Sequence, residues 1–172
     1  ERPDLTLLVT SGTVTSAHIL SRRLPAGVIH QYLPLDTPTS ARRFLAHWRP
    51  GLAILVESEL WPGLLLQAKA AGTRLALLGA RLSERSVKGW AKAPRSARAL
   101  LGAFDLILAQ DELSRHRIEV LGGQVAGELD LKSAGTPLDY EEAELTHLKA
   151  AVGGRRVLVG ASTHPGEEEM IA

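Results

Sequence analysis

The sequence has no cysteine, a single methionine and few aromatic side chains: two Phe, two Tyr and three Trp in 172 residues. The missing cysteines exclude disulfides, thiolate metal ligands and a cysteine nucleophile, and with them a small secreted domain stapled by disulfides. No apolar run approaches the roughly 20 residues of a membrane-spanning helix, and the opening residues do not read as a secretory leader. Charge of one sign is not in excess either. Twenty Lys and Arg against nineteen Asp and Glu give a formal net charge of +1, so attraction to an anionic partner must come from a local patch. With so few aromatics to stack on bases, no nucleic-acid partner is expected.

Several familiar chemistries are absent as motifs. There is no G-x-G-x-x-G. The stretch Gly160-Ala161-Ser162-Thr163-His164-Pro165-Gly166-Glu167 is not a P-loop, because its second glycine falls one place late and Glu stands where the Lys belongs. The six histidines, His18, His30, His47, His116, His147 and His164, are scattered, and none forms an H-E-x-x-H pair, so no metal is expected. His30, on an apolar strand, reads as a core or edge histidine. His164, in a turn beside Ser162 and Thr163, is the histidine read as a binding residue.

What is present is a hydrophobic fraction of 45%, enough for one full core and part of a second. The chain is organised around Leu52-Ala53-Ile54-Leu55-Val56-Glu57-Ser58-Glu59-Leu60-Trp61-Pro62. Its unbroken apolar run predicts a strand buried on both faces, and Pro62 suits the first turn of a helix that continues to Gly72. Glu57 and Glu59 therefore fall in a strand-to-helix turn, at the carboxyl end of a strand, where open α/β sheets bind ligands. Two readings stand for this turn: a binding site, or a carboxylate capping a helix while Trp61 plugs its base.

Strands are predicted at 5–10, 28–33, 52–56, 75–78, 104–109 and 124–127. Helices are predicted at 15–24, 39–48, 62–71, 94–101 and 112–121, with Asp111 as an N-cap and 81–86 as a polar turn. This alternation predicts right-handed β-α-β units and a Rossmann-like, doubly wound parallel sheet. Residues 1–135 make the first domain, and Ser133 to Leu138 has the composition of a linker. Residues 136–172 make a polar helix, then a strand from Arg156 to Gly160, a turn and a helix start, the first unit of a second domain. With no Met at the start and a helix at the end, the chain reads as a fragment.

Five strings carry a resemblance: Thr10-Ser11-Gly12-Thr13, Tyr32-Leu33-Pro34-Leu35-Asp36, Val56 to Pro62, Ala80-Arg81-Leu82-Ser83-Glu84-Arg85-Ser86, and Ala161 to Glu168. In that order they resemble the 3-deoxy-D-manno-octulosonic acid (Kdo) transferases across nearly the whole chain. The resemblance implies the N-terminal half of a GT-B type glycosyltransferase. It would move Kdo from CMP-Kdo to a lipid A precursor in lipopolysaccharide biosynthesis, at the cytoplasmic face of a Gram-negative inner membrane, without metal or other cofactor. It also implies a membrane anchor and a general-base Glu upstream of Glu1, so that no catalytic residue is assigned here and the chain alone is expected to be inactive. The sequence departs from the family pattern at Ser16, where Gly is usual, and at Gly63 and Gly79, where Asn is usual, and Gly127-Glu128-Leu129-Asp130 stands where Gly-Asn-Leu-Lys is usual.

Within that frame the turns after the first, third and fourth strands present Thr13, Glu57, Glu59 and Arg81 to one cleft as acceptor-binding residues. Arg81 reads equally as the ion-pair partner of a Glu. Ser162, Thr163, His164, Gly166 and Glu167 are the donor-binding residues, suited to a phosphate at a helix N-terminus. Between Arg81 and Arg98 a basic run, Arg81, Arg85, Lys88, Lys92, Arg95 and Arg98, surrounds Trp90 with only Glu84 opposed to it. It reads as a solvated face or as contact with lipid A phosphates and an anionic membrane surface. Two other readings of the chain stay open: a sugar- or lipid-binding module without catalysis, and a nucleotide-sugar epimerase of the same architecture.

Overall fold

The computed structural model describes residues 4–133 and 140–171. The linker stretch from residue 134 to Leu138 lies outside the described residues. The chain divides into two compact units, Glu1–Ala134 and Gly135–Ala172.

The first unit runs β1 (Leu8–Ser11), α1 (Val14–Arg23), β2 (Ile29–Tyr32), α2 (Pro38–Trp48), β3 (Leu52–Val56), α3 (Pro62–Ala70) and β4 (Arg74–Ala80). It continues with α4 (Glu84–Trp90), α5 (Pro94–Leu101), β5 (Leu106–Ala109), α6 (Glu112–Val120) and β6 (Gly127–Glu128). All strand pairs are parallel, as the β-α alternation requires. They form two sheets, a pair β1-β2 and a four-stranded sheet in the order β3-β4-β5-β6.

Four of the helices, α1, α2, α4 and α6, begin where the sequence offers a side-chain oxygen. Thr13, Thr37, Ser83 and Asp111 accept from the N–H three residues on, at Ser16, Ser40, Ser86 and Ser114. The Ser83 cap explains why 81–86, read as a turn, opens α4 instead. Trp90, read as part of the basic surface, turns inward and packs between two core clusters.

The core centres on β4, where Leu75, Ala76, Leu77 and Ala80 are buried on both faces. One cluster sets Leu77, Ile107 and Ala109 against Ala97, Leu101, Ile118 and Leu121. The other sets Leu75 against Leu64, Leu65, Ala68 and Leu100, and reaches Ala41 and Leu45 of α2. The register of β4 on β5 shifts between Leu77 and Ala80, and Gly79 sits in the shift with φ of +60°. A bulge needing a left-handed residue is thus built where the sequence has glycine.

β3 corrects the expectation of a strand buried on both faces. It hydrogen-bonds only to β4 and alternates: Ala53 and Leu55 face the core, while Leu52, Ile54 and Val56 are 56%, 56% and 44% exposed. Its apolar run fits a sheet edge with one covered face, and full burial belongs to β4.

The second unit contains α7 (Glu142–Val152) and α8 (Glu168–Ile171). The strand expected from Arg156 to Gly160 does not form. Val157, Leu158 and Val159 are 58%, 75% and 77% exposed, and no described strand lies alongside to satisfy their backbone.

Candidate site at the carboxyl ends of the strands

The carboxyl ends of β3 to β6 meet around a small, shallow recess lined by Glu57, Gly79, Gln110, Asp130, Leu131 and Lys132. Each lining residue has a topological reason to be there. Glu57 directly follows β3, Gly79 is the bulge of β4, Gln110 directly follows β5, and Asp130 to Lys132 follow β6.

Glu57 is held in an uncommon backbone state. Its φ is +59°, a left-handed conformation that costs a residue with a side chain. Hydrogen bonds to the neighbouring strand fix it there: its N–H donates to Leu78 O at 2.9 Å, and its carbonyl accepts from Arg81 N at 3.4 Å. Ser58 Oγ adds a bond to the carbonyl of Arg81. Among the described residues, no hydrogen bond or ion pair engages the Glu57 carboxylate. Glu59 differs, because its Oε2 accepts from Trp61 Nε1 at 2.7 Å. The two carboxylates, two residues apart, therefore have separate surroundings: one faces the recess and the other is tied to the indole.

Of the four residues read as acceptor-binding, only Glu57 lines the recess. Arg81 is joined to Glu57 through the backbone, and its charge is one of the weaker influences holding the Asp111 carboxyl below the usual range. The main cause is the N–H of Ser114. Thr13 lies two residues past β1 of the other sheet, and its hydroxyl is used as the α1 cap, accepting from Ser16 N at 3.1 Å and donating to Ser16 Oγ at 2.8 Å. Gln110, Asp130 and Lys132 line the recess beside Glu57, with no site role read from the sequence. The rule that ligands meet the carboxyl ends of parallel strands would have found them, had it been applied to every strand.

In the second unit the residues read as donor-binding form one local turn. Ser162 and Gly166 have φ of +56° and +94°, and His164 N–H donates to Glu167 Oε2 at 2.8 Å. Glu167 N–H returns a bond to His164 O at 3.0 Å. This reciprocal pair spends the Glu167 carboxylate on the backbone of the turn.

The basic run divides. Lys88 pairs with Glu84 at 2.6 Å, and Arg98 lies over Gly122. Arg85, Lys92 and Arg95 stay exposed. No group of three His, Asp or Glu side chains suited to a metal ion occurs among the described residues, and none of their helices is long and apolar enough to cross a membrane.

Parallel strands covered by helices, with a charged recess beyond their carboxyl ends, define a Rossmann-like α/β domain. The chain belongs to the 3-deoxy-D-manno-octulosonic-acid transferase (kdotransferase) family, whose model matches residues 1–133. It is 39% identical over 170 residues to the 3-deoxy-D-manno-octulosonic acid transferase of Rickettsia felis, covering 98% of this chain and 36% of that protein. It is 35% identical over 184 residues to a probable mitochondrial 3-deoxy-D-manno-octulosonic acid transferase of Arabidopsis thaliana, covering 99% of this chain and 40% of that protein. The corresponding protein of Haemophilus influenzae is 32% identical over 176 residues, with 98% of this chain and 40% of that protein covered. The chain thus spans about two fifths of the length of these relatives.

The departures from the family pattern take on definite geometry. Gly79, with its positive φ, occupies a conformation that Asn also tolerates, so glycine there leaves the bulge intact. Glu128 pairs with Arg115 at 3.2 Å. Asp130 enters the recess with Lys132 two residues on, so the segment keeps a cation there beside the added acid.

Proposed function

We propose that the protein to which this domain belongs is a glycosyltransferase that moves Kdo from CMP-Kdo to the glucosamine disaccharide of a lipid A precursor, and that residues 1–135 form the acceptor-side wall of its cleft. The observation that carries the reading is the family match over residues 1–133, joined to a charged recess at the carboxyl ends of β3 to β6. The reaction develops oxocarbenium character at the sugar and releases a phosphate monoester. It therefore needs a carboxylate beside the acceptor hydroxyl and cations toward the departing phosphate. In the recess Glu57 is the carboxylate free to orient or accept from an acceptor hydroxyl, and Lys132 is the lining cation. Arg81 binds the acceptor's phosphate from the adjoining turn.

Ser162, Thr163, His164, Gly166 and Glu167 belong to the donor side, where a complete second domain would hold the CMP group. On this reading the enzyme works at the cytoplasmic face of the inner membrane, and the exposed Arg85, Lys92 and Arg95 are the side chains offered to an anionic membrane surface. The chemistry calls for no metal and no cofactor, and nucleic acid is not a partner. By itself the 172-residue chain does not turn over, because one wall of a two-domain cleft forfeits the proximity worth roughly 7–11 kcal/mol.

The test is CMP release and label transfer from CMP-Kdo to a lipid A precursor by an enzyme carrying this domain with the rest of the family's length. Transfer that falls when Glu57 is replaced by Gln supports the reading. Binding of the acceptor with no CMP release would make this a binding module, and an altered sugar nucleotide without transfer would make it an epimerase.

A further inference from the structure

The N-terminus of α3 is closed by a residue from a distant part of the chain. Pro62, its first residue, has no N–H, and Leu65 N–H donates to Trp61 O at 2.9 Å. The two remaining amides both end on Asp36: Gly63 N–H donates to Oδ2 at 3.1 Å and Leu64 N–H to Oδ1 at 2.7 Å. Trp61, the residue at the cap position, contributes no side-chain bond. The free amides of the first helical turn, those of Gly63 and Leu64, are therefore both taken by a carboxylate 27 and 28 residues away in sequence. Gly63 makes the seat. A Cβ at this position would lie 2.7 Å from Asp36 Oδ1, so the carboxylate rests where a side chain would otherwise stand.

We propose that Asp36 is a positioning residue for the turn 57–61, which carries Glu57 and Glu59, acting through the start of α3. The strand end of this turn is tied to β4 by the bonds of Glu57 and Ser58. Its helix end is set by where α3 begins, and the Asp36 carboxylate fixes that point. A residue with a side chain stays in a left-handed conformation only where its surroundings over-determine it, and Glu57, with φ of +59°, is such a residue. Pinning both ends supplies that constraint. Asp36 adjoins Thr37, which caps α2, so successive residues fix the starts of two helices and carry the position of β2 to the turn.

The catalytic consequence rests on the function proposed above; the geometric one does not. In the 172-residue chain, Asp36→Ala should speed amide exchange at Gly63 and Leu64 about five- to tenfold more than at Leu75 and Leu77, the size of a lost helix cap. It should also shift the Trp61 indole N–H resonance. Asp36→Asn, which keeps one acceptor oxygen, should restore part of both. Thr37→Ala, which uncaps α2, should leave the Trp61 resonance in place. In the longer enzyme, Asp36→Ala should lower kcat about tenfold with the donor KM unchanged and Asp36→Asn should recover part of it. Equal acceleration at all amides, or a moved turn with unchanged turnover, overturns the proposal. Should the unsubstituted enzyme fail to transfer Kdo, the functional reading falls, and the exchange and resonance measurements alone decide the role of Asp36.

Discussion

Replacing Glu57 by glycine separates what the side chain does from what it costs. The left-handed backbone at φ of +59° carries a penalty of about 1–2 kcal/mol for a residue with a Cβ, and glycine removes it. Glycine in turn gains freedom in the unfolded chain, which gives back about 0.5–1 kcal/mol. No hydrogen bond or ion pair of the carboxylate among the described residues is lost, so the net expectation is a stabilisation of about 0.5–1 kcal/mol. For a unit of this size that raises Tm by roughly 2–4 °C. Glu57→Gln keeps the strained backbone and should leave Tm within about 1 °C. Thermal and urea unfolding of the two variants beside the parent chain measures both numbers. The same glycine substitution in the longer enzyme should lower transfer even as it stabilises the fold, since a strained side chain kept at a cost in stability is kept for its chemistry. If Glu57→Gly lowers Tm, the carboxylate holds the turn together and the reasoning fails.

Gly123→Ala should destabilise the chain by about 1–3 kcal/mol, because its Cβ would meet Ile118 Cγ2 at 2.5 Å in the packed core, whereas Gly154→Ala, with nothing within 4 Å, should be neutral or slightly stabilising; urea midpoints read the contrast. The Asp105 carboxyl is held below its ordinary value of 3.8, first by Lys69 and then by the N–H of Leu75. A carboxyl depressed by folding contributes stability that is present above the unfolded value and lost as pH falls through the folded one, so Asp105→Asn should flatten the pH dependence of Tm below about pH 4. The exposed cations Arg85, Lys92 and Arg95 should give binding to vesicles with anionic lipid that fades as salt rises. Co-sedimentation that is equal and negligible with neutral and anionic vesicles would leave those side chains as a solvated face.

How far the sequence could be read follows from the range of the forces involved. The helix capped by Asp111, three residues from the amide it holds, is legible from local spacing. Thr13, Thr37 and Ser83 carry the same spacing, each three residues ahead of the amide it accepts from. Sheet membership is nonlocal. The run 52–56 and the run 75–78 look alike as letters, yet β4 has neighbours on both sides and β3 on one, so only the pairing tells which strand is buried. Residues 156–160 look like a strand too, and without a partner to accept their backbone bonds they do not become one.

The site divides along the same line. That Glu57 would stand at a carboxyl strand end was legible, and so, by the same rule, were Gln110 and Lys132. The left-handed φ of Glu57 was not, because glycine or Asn would have announced it and glutamate does not. Nor was the role of Asp36, whose partners lie 27 and 28 residues on. The glycine substitutions show why departures from a family pattern need a structure to weigh them. At Gly79 the letter changes while the backbone keeps a conformation that both residues accept, and at Gly63 the missing side chain is the space into which Asp36 fits. Asp130 is the departure of another kind: it places a second carboxylate beside Glu57 in the recess. A second negative charge there opposes an anionic ligand. Asp130→Asn in the longer enzyme should therefore lower the KM for the phosphorylated acceptor, and an unmoved KM would mean that Lys132 already neutralises the site.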